Sequence, residues 1–176
     1  MNLLCVGPGA SYATADVANG YNAALRAMGH TVREYLLDQR IDDASSYYRH
    51  VYRKRKITGP PPAGLVLTKA ASDIIPQALY HDVDGVIVYS GMYLAPDYLV
   101  LLRRAGIPTA LVLSESPYDD AQQARVVRAV DVAFTNERTS VDYLRQFNPR
   151  THYLPHAFDP HISRPTVIAG GAPRHD

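Results

Sequence analysis

Short apolar runs alternate along this chain with longer stretches whose apolar positions recur at helical spacing. The short runs fall at 3–6, 31–36, 85–89, 109–113, 131–134 and 152–154, and each is predicted to be a strand. Between the first two, Val17, Tyr21, Leu25 and Met28 share one face of a helix over 11–28, and Gly29 closes it. The stretch 38–56 keeps a helical period through Ile41, Ala44, Tyr48 and Tyr52. Its acidic residues come early (Asp42, Asp43) and its basic ones late (Arg53 to Lys56), an order that suits the helix dipole. Pro60-Pro61-Pro62 makes 57–64 a loop, and Pro76 limits or kinks a helix over 68–81. Pro96 suits the first position of a helix that runs to about Ala105, and a further helix is expected over 121–129. Val141, Leu144 and Phe147 give a last helix over 140–147, which Asn148-Pro149 stops.

Strands that alternate with helices build parallel sheets. The expected fold is therefore α/β: a doubly wound, mostly parallel, Rossmann-like sheet in one domain over 1–165. Residues 166–176, with Gly170-Gly171 and Pro173, read as a linker. The composition agrees with a soluble globular chain, at 47% hydrophobic and 20% charged residues. A net charge of +1 offers nucleic acid no general attraction, so the basic run from Arg49 to Lys56 reads as a solvated helix end. Cys5 is the single cysteine and is expected to be a buried small hydrophobe. No apolar run spans a bilayer and the first residues lack a basic leader, so a cytoplasmic location is expected.

In open parallel sheets, ligands sit outside the carboxyl ends of the strands. The corners there are 7–11, 89–93, 114–120, 136–137 and 156–159. Gly7-Pro8-Gly9 begins like a dinucleotide fingerprint. The third glycine position is Tyr12, however, and Pro8 has no N–H, so a nicotinamide-dependent oxidoreductase ranks well behind the other readings. Gly9 and Ser11 either bring backbone N–H groups to an anion or sugar hydroxyl, or form a structural turn. Glu115, beside Ser114, Ser116 and Tyr118, is either a base or hydroxyl ligand, or part of a capping turn. Asn136, Glu137, His156 and Asp159 complete the set. His152, His156 and His161 share no face, and no metal is expected.

Three motifs together resemble the CgeB, or spore-maturation-type, glycosyltransferases: Ser114-Glu115-Ser116-Pro117-Tyr118, Phe134-Thr135-Asn136-Glu137, and Tyr153 through Pro160. The resemblance implies the N-terminal half of a GT-B enzyme, which moves a sugar from a nucleotide-sugar donor to a glycan, protein or small-molecule acceptor. It implies Glu115 or His156 in acid/base or acceptor-orienting roles, and Gly9, Ser11, Tyr118, Asn136, Glu137 and Asp159 around the substrate. It implies no cofactor beyond the nucleotide-sugar as co-substrate, and a partner in the form of a second domain or another copy. A lone half is expected to be inactive, because donor and acceptor would not be held together. The competing expectation is a non-enzymatic α/β ligand-binding or interaction module.

Overall fold

The structure is a computed structural model, and it describes residues 1–9 and 12–157. Six strands form one sheet: β1 (Asn2–Val6), β2 (Thr31–Tyr35), β3 (Gly85–Tyr89), β4 (Thr109–Leu113), β5 (Val132–Thr135) and β6 (Thr151–Tyr153). The order across the sheet is β2-β1-β3-β4-β5-β6, and every pairing is parallel. The helices are α1 (Tyr12–Ala27), α2 (Leu37–Lys54), α3 (Ala63–Ala71), α4 (Ile74–Tyr80), α5 (Pro96–Arg104), α6 (Asp120–Val127) and α7 (Arg138–Arg145). None is long and apolar enough to cross a membrane. The doubly wound α/β reading is the fold observed.

The sheet register sorts the side chains. Leu4, Val6, Tyr35, Val88, Leu111 and Ala133 point to one face, where they pack with residues from α2 to α7 in the larger core. Leu3, Cys5 and Tyr89 point to the other face, under Ala18, Tyr21 and Leu25 of α1. The handedness of parallel crossovers explains the split. The connection from β1 to β2 runs one way across the sheet, and every later connection runs the other way. Cys5 is buried as expected, and burial pushes its thiol up from its ordinary range. Tyr35 is pushed up to about 12 by burial, and its hydroxyl donates to the Ala70 carbonyl of α3.

Element ends follow local chemistry. Pro96 opens α5, and Arg103 and Arg104 close it at the negative end of its dipole. Two expectations shift. The loop predicted over 57–64 ends early, because the Pro62 carbonyl accepts from Leu65 and Val66 and starts α3 at Ala63. The break expected at Pro76 falls instead at residues 72–73. Pro76 is the third residue of α4, where its missing N–H would have no partner within the helix in any case.

Candidate functional site

In doubly wound sheets the binding crevice opens where neighbouring strands send their connections to opposite faces. Here that point lies between β1 and β3, since α1, after β1, packs on one face and α5, after β3, on the other. Its two lips are Gly7 to Gly9 after β1 and Ser90 to Tyr93 after β3. Gly9 has φ +88, and a Cβ placed on it would lie 2.6 Å from Tyr93 Cδ2. The Tyr93 ring therefore lies directly on the first turn. Ser90 (φ 64) and Gly91 (φ 74) reverse the chain after β3 and aim Tyr93 back toward β1. Gly91 is packed closely too, because an added Cβ would meet Leu111 Cδ1 at 3.0 Å and Val126 Cγ1 at 3.1 Å.

The next corners along the edge carry the polar groups. After β4, the loop 114–119 contains a cis Ser116–Pro117 peptide and the most exposed aromatic of this edge, Tyr118, at 93%. The Glu115 carboxylate is half-buried and accepts from the Ser114 N–H at 3.3 Å. After β5, Asn136 Nδ2 donates to the Ser116 carbonyl at 3.5 Å, joining the two corners. Ser116 Oγ donates to Gln123 Oε1 at 3.0 Å, which ties the loop to α6. The other ends of these amides are left over. Asn136 Oδ1, Gln123 Nε2, Ser114 Oγ and Asp120 Oδ1 are buried with no hydrogen-bond partner among the described residues. Buried polar groups are nearly always paired, so four orphans around one loop mark a place where a polar partner fits.

Two other carboxylates here have local tasks. Asp119 caps α6 by accepting from the Gln122 N–H at 3.4 Å. Glu137 caps α7, accepting from the Thr139 N–H at 3.0 Å and from Thr139 Oγ1 at 3.1 Å. Those two hydrogen bonds hold the Glu137 carboxyl below its usual range. Glu137 is thus placed as a helix cap, while Glu115 caps no helix.

The sequence-derived set is brought to one edge but not to one point. Glu115, Tyr118 and Asn136 share the β4 and β5 corners. Gly9 lies at the switch point beside Tyr93. His156 follows β6, exposed, and four strand spacings separate the β1 and β6 corners by about 19 Å. Ser11 and Asp159 lie outside the described residues. Sequence reasoning missed Tyr93 and Gln123. Tyr93 gains its meaning from a contact with Gly9 across 84 residues, and Gln123 from complete burial, which its residue type does not announce. Among the described residues, no group of three or more His, Cys, Asp or Glu could hold a metal ion.

A groove of about 380 Å³ opens beside Tyr93 between α3, the start of α5 and α6, with Thr68, Asp97 and Arg125 at its walls. A larger groove of about 1010 Å³ lies at the opposite, amino-terminal edge of the strands. We place the site at the carboxyl edge because the orphaned polar atoms and the crevice at the switch point are there, and size alone carries no chemistry. No protein-family model matches the chain, and no curated protein matches it in sequence.

Proposed function

We propose that this chain is the acceptor-side domain of a glycosyltransferase, which holds a hydroxyl-rich acceptor at the carboxyl edge of β3, β4 and β5. The observation that carries this reading is the set of unpartnered buried polar atoms, Ser114 Oγ and Asn136 Oδ1, on the corners that also hold Glu115 and Tyr118. Leaving such an atom unmet costs about 1–3 kcal/mol, and a bound hydroxyl would recover it. Exposed tyrosine faces suit the C–H surface of a sugar ring, and their hydroxyls suit its rim. In the transfer, an acceptor hydroxyl oxygen bonds to the anomeric carbon of the nucleotide-sugar. The bond from that carbon to the diphosphate breaks, and its electron pair leaves with the nucleotide. The hydroxyl proton passes to a base, and Glu115, a half-buried carboxylate on these corners with no capping duty, is the group proposed for it. His156, two strands from Glu115, stands about 10 Å further along and would meet the far end of the acceptor or the donor phosphates. Donor contacts belong to a second domain in this reading, so the chain alone transfers no sugar.

A second reading, a binding module without catalysis, is favoured by one observation. Glu115 and His156 stand two strands apart with no contact between them, so no acid–base pair is assembled among the described residues. The test is a thermal-shift screen of this chain with free mono- and disaccharides and with UDP- and GDP-sugars. Saccharides are expected to raise the melting temperature, and Glu115→Gln and Asn136→Ala to abolish the rise. A rise that survives both substitutions would overturn the site. Saccharide binding without transfer in any longer form of the protein would favour the module.

A further inference from the structure

The sheet is covered unequally. The face under α2 to α7 is closed, whereas α1 is the only helix on the other face among the described residues. It covers Leu3, Cys5 and Tyr89, and its Tyr21 and Leu25, like Ile87 and Val112 of the sheet, pack against that small cluster. Beyond that, the register places Ala110, Val132 and Phe134 on the same face, with no helix above them among the described residues. All three are half-buried, and His152 of β6 lies against the Phe134 ring at 5.9 Å between centroids. Strands of an all-parallel sheet are apolar on both faces because both are normally covered. These residues are apolar on a face that the described chain leaves open.

From this we infer that the open strip over β4, β5 and β6 is a docking surface for one amphipathic helix with an acidic last turn, supplied from outside residues 1–176. The dimensions select a single helix. Two strand spacings span about 10 Å and five residues about 17 Å, which match the width and three turns of one helix. The strip offers on the order of 170 Å² against about 800 Å² per partner in a stable subunit interface, so a second copy seated on it is not favoured. Residues 158–176 carry Pro160, Pro165, Gly170, Gly171 and Pro173 and contain no uninterrupted run of twelve residues for such a helix.

Charge sets the direction. The groove of about 1010 Å³ runs from Leu3, Ile87, Ala110 and Val132 to the amino-terminal edge of the strands. At that rim stand Arg104 and Arg150, neither with a side-chain ion pair or hydrogen bond among the described residues, while Arg103 is held by Asp131. Asp84 faces the same rim and accepts from the Asn2 N–H. The two free guanidinium groups suit the negative end of a helix dipole and acidic side chains in its last turn. The incoming helix therefore runs antiparallel to the strands. Its apolar stripe lies on Val132 and Phe134, and its acidic C-terminal turn lies on Arg104 and Arg150.

The test is selection of a phage-displayed library of random 16-residue peptides on the full chain. Enriched peptides are expected to carry apolar residues at i, i+3, i+4 and i+7 and acidic residues in the final turn. Their binding should weaken about ten-fold or more in Phe134→Glu, since aromatic anchors dominate such contacts. It should weaken about three-fold in Arg104→Glu and Arg150→Glu, and further with added salt. Both arginine changes lie on exposed side chains, so they keep the test valid if Phe134→Glu fails to fold. Three results would overturn the inference: no enrichment, peptides that lack the stripe and bind the variants equally, or a dimer in light scattering that Phe134→Glu dissolves.

Discussion

Gly9 and Tyr93 are two side-chain positions that depend on each other. At φ +88, any residue with a Cβ is strained, and the Tyr93 ring occupies the space a Cβ would need. Gly9→Ala is expected to cost about 2 kcal/mol in urea unfolding, of which about half is backbone strain. Tyr93→Ala in the same chain should return the contact part and leave the strain, so the double variant should be more stable than the sum of the singles predicts. Asp131 makes a prediction in pH. Burial pushes its carboxyl up, but hydrogen bonds from the Thr109 N–H and hydroxyl and the Arg103 guanidinium outweigh burial and hold it below the usual carboxylate range. A carboxyl lowered in the folded state contributes stability above its unfolded pKa, and that contribution is lost as pH falls through the folded value. Wild type should therefore lose stability below about pH 4, and Asp131→Asn should show a flatter acid limb in urea midpoints measured from pH 6 to pH 3. At this scale the glycine turn after the first strand was legible in the sequence. Its partner was not, because Tyr93 lies 84 residues away and meets Gly9 only once β1 and β3 pair.

Between elements, the sharpest dependence is on Asn148. Its amide donates to the Val127 carbonyl at 3.1 Å and the Val130 carbonyl at 2.9 Å, and its Oδ1 accepts from the Arg150 N–H at 3.0 Å. One buried side chain thus fastens the end of α6 to the turn that enters β6. Asn148→Ala leaves three backbone groups without partners and is expected to cost about 3 kcal/mol, read from the unfolding midpoint. Asn148→Asp should cost a comparable amount, since it supplies no donors for the two carbonyls. In the sequence, Asn148-Pro149 read only as a helix stop. The periods that define strands and helices are local, so nearly every element was readable to within a few residues. Which carbonyls a buried amide reaches depends on how α6 and α7 pack, and no local pattern encodes that. The same limit applies to Glu137. In the sequence its carboxylate was a reasonable ligand, and only the fold shows that Thr139 occupies it.

For the whole molecule, the alternation of elements was enough to give a doubly wound parallel sheet, because a parallel pairing demands a crossover. The strand order was not in the pattern, and with it came the switch point between β1 and β3 and the uneven covering of the two faces. That order separates the candidate residues into a row along one edge. It places Glu115, Tyr118 and Asn136 together, Gly9 with Tyr93 to one side, and His156 at the far end. This edge, with its orphaned Ser114 and Asn136 atoms, is the proposed seat of a hydroxyl-rich ligand. The most direct measurement is an amide NMR titration of the full chain with the saccharide that most stabilises it. Shifts concentrated in 90–93, 114–119 and 136–137 are the predicted result. Shifts confined to the amino-terminal edge around Arg104 and Arg150, or none with any saccharide, would contradict it.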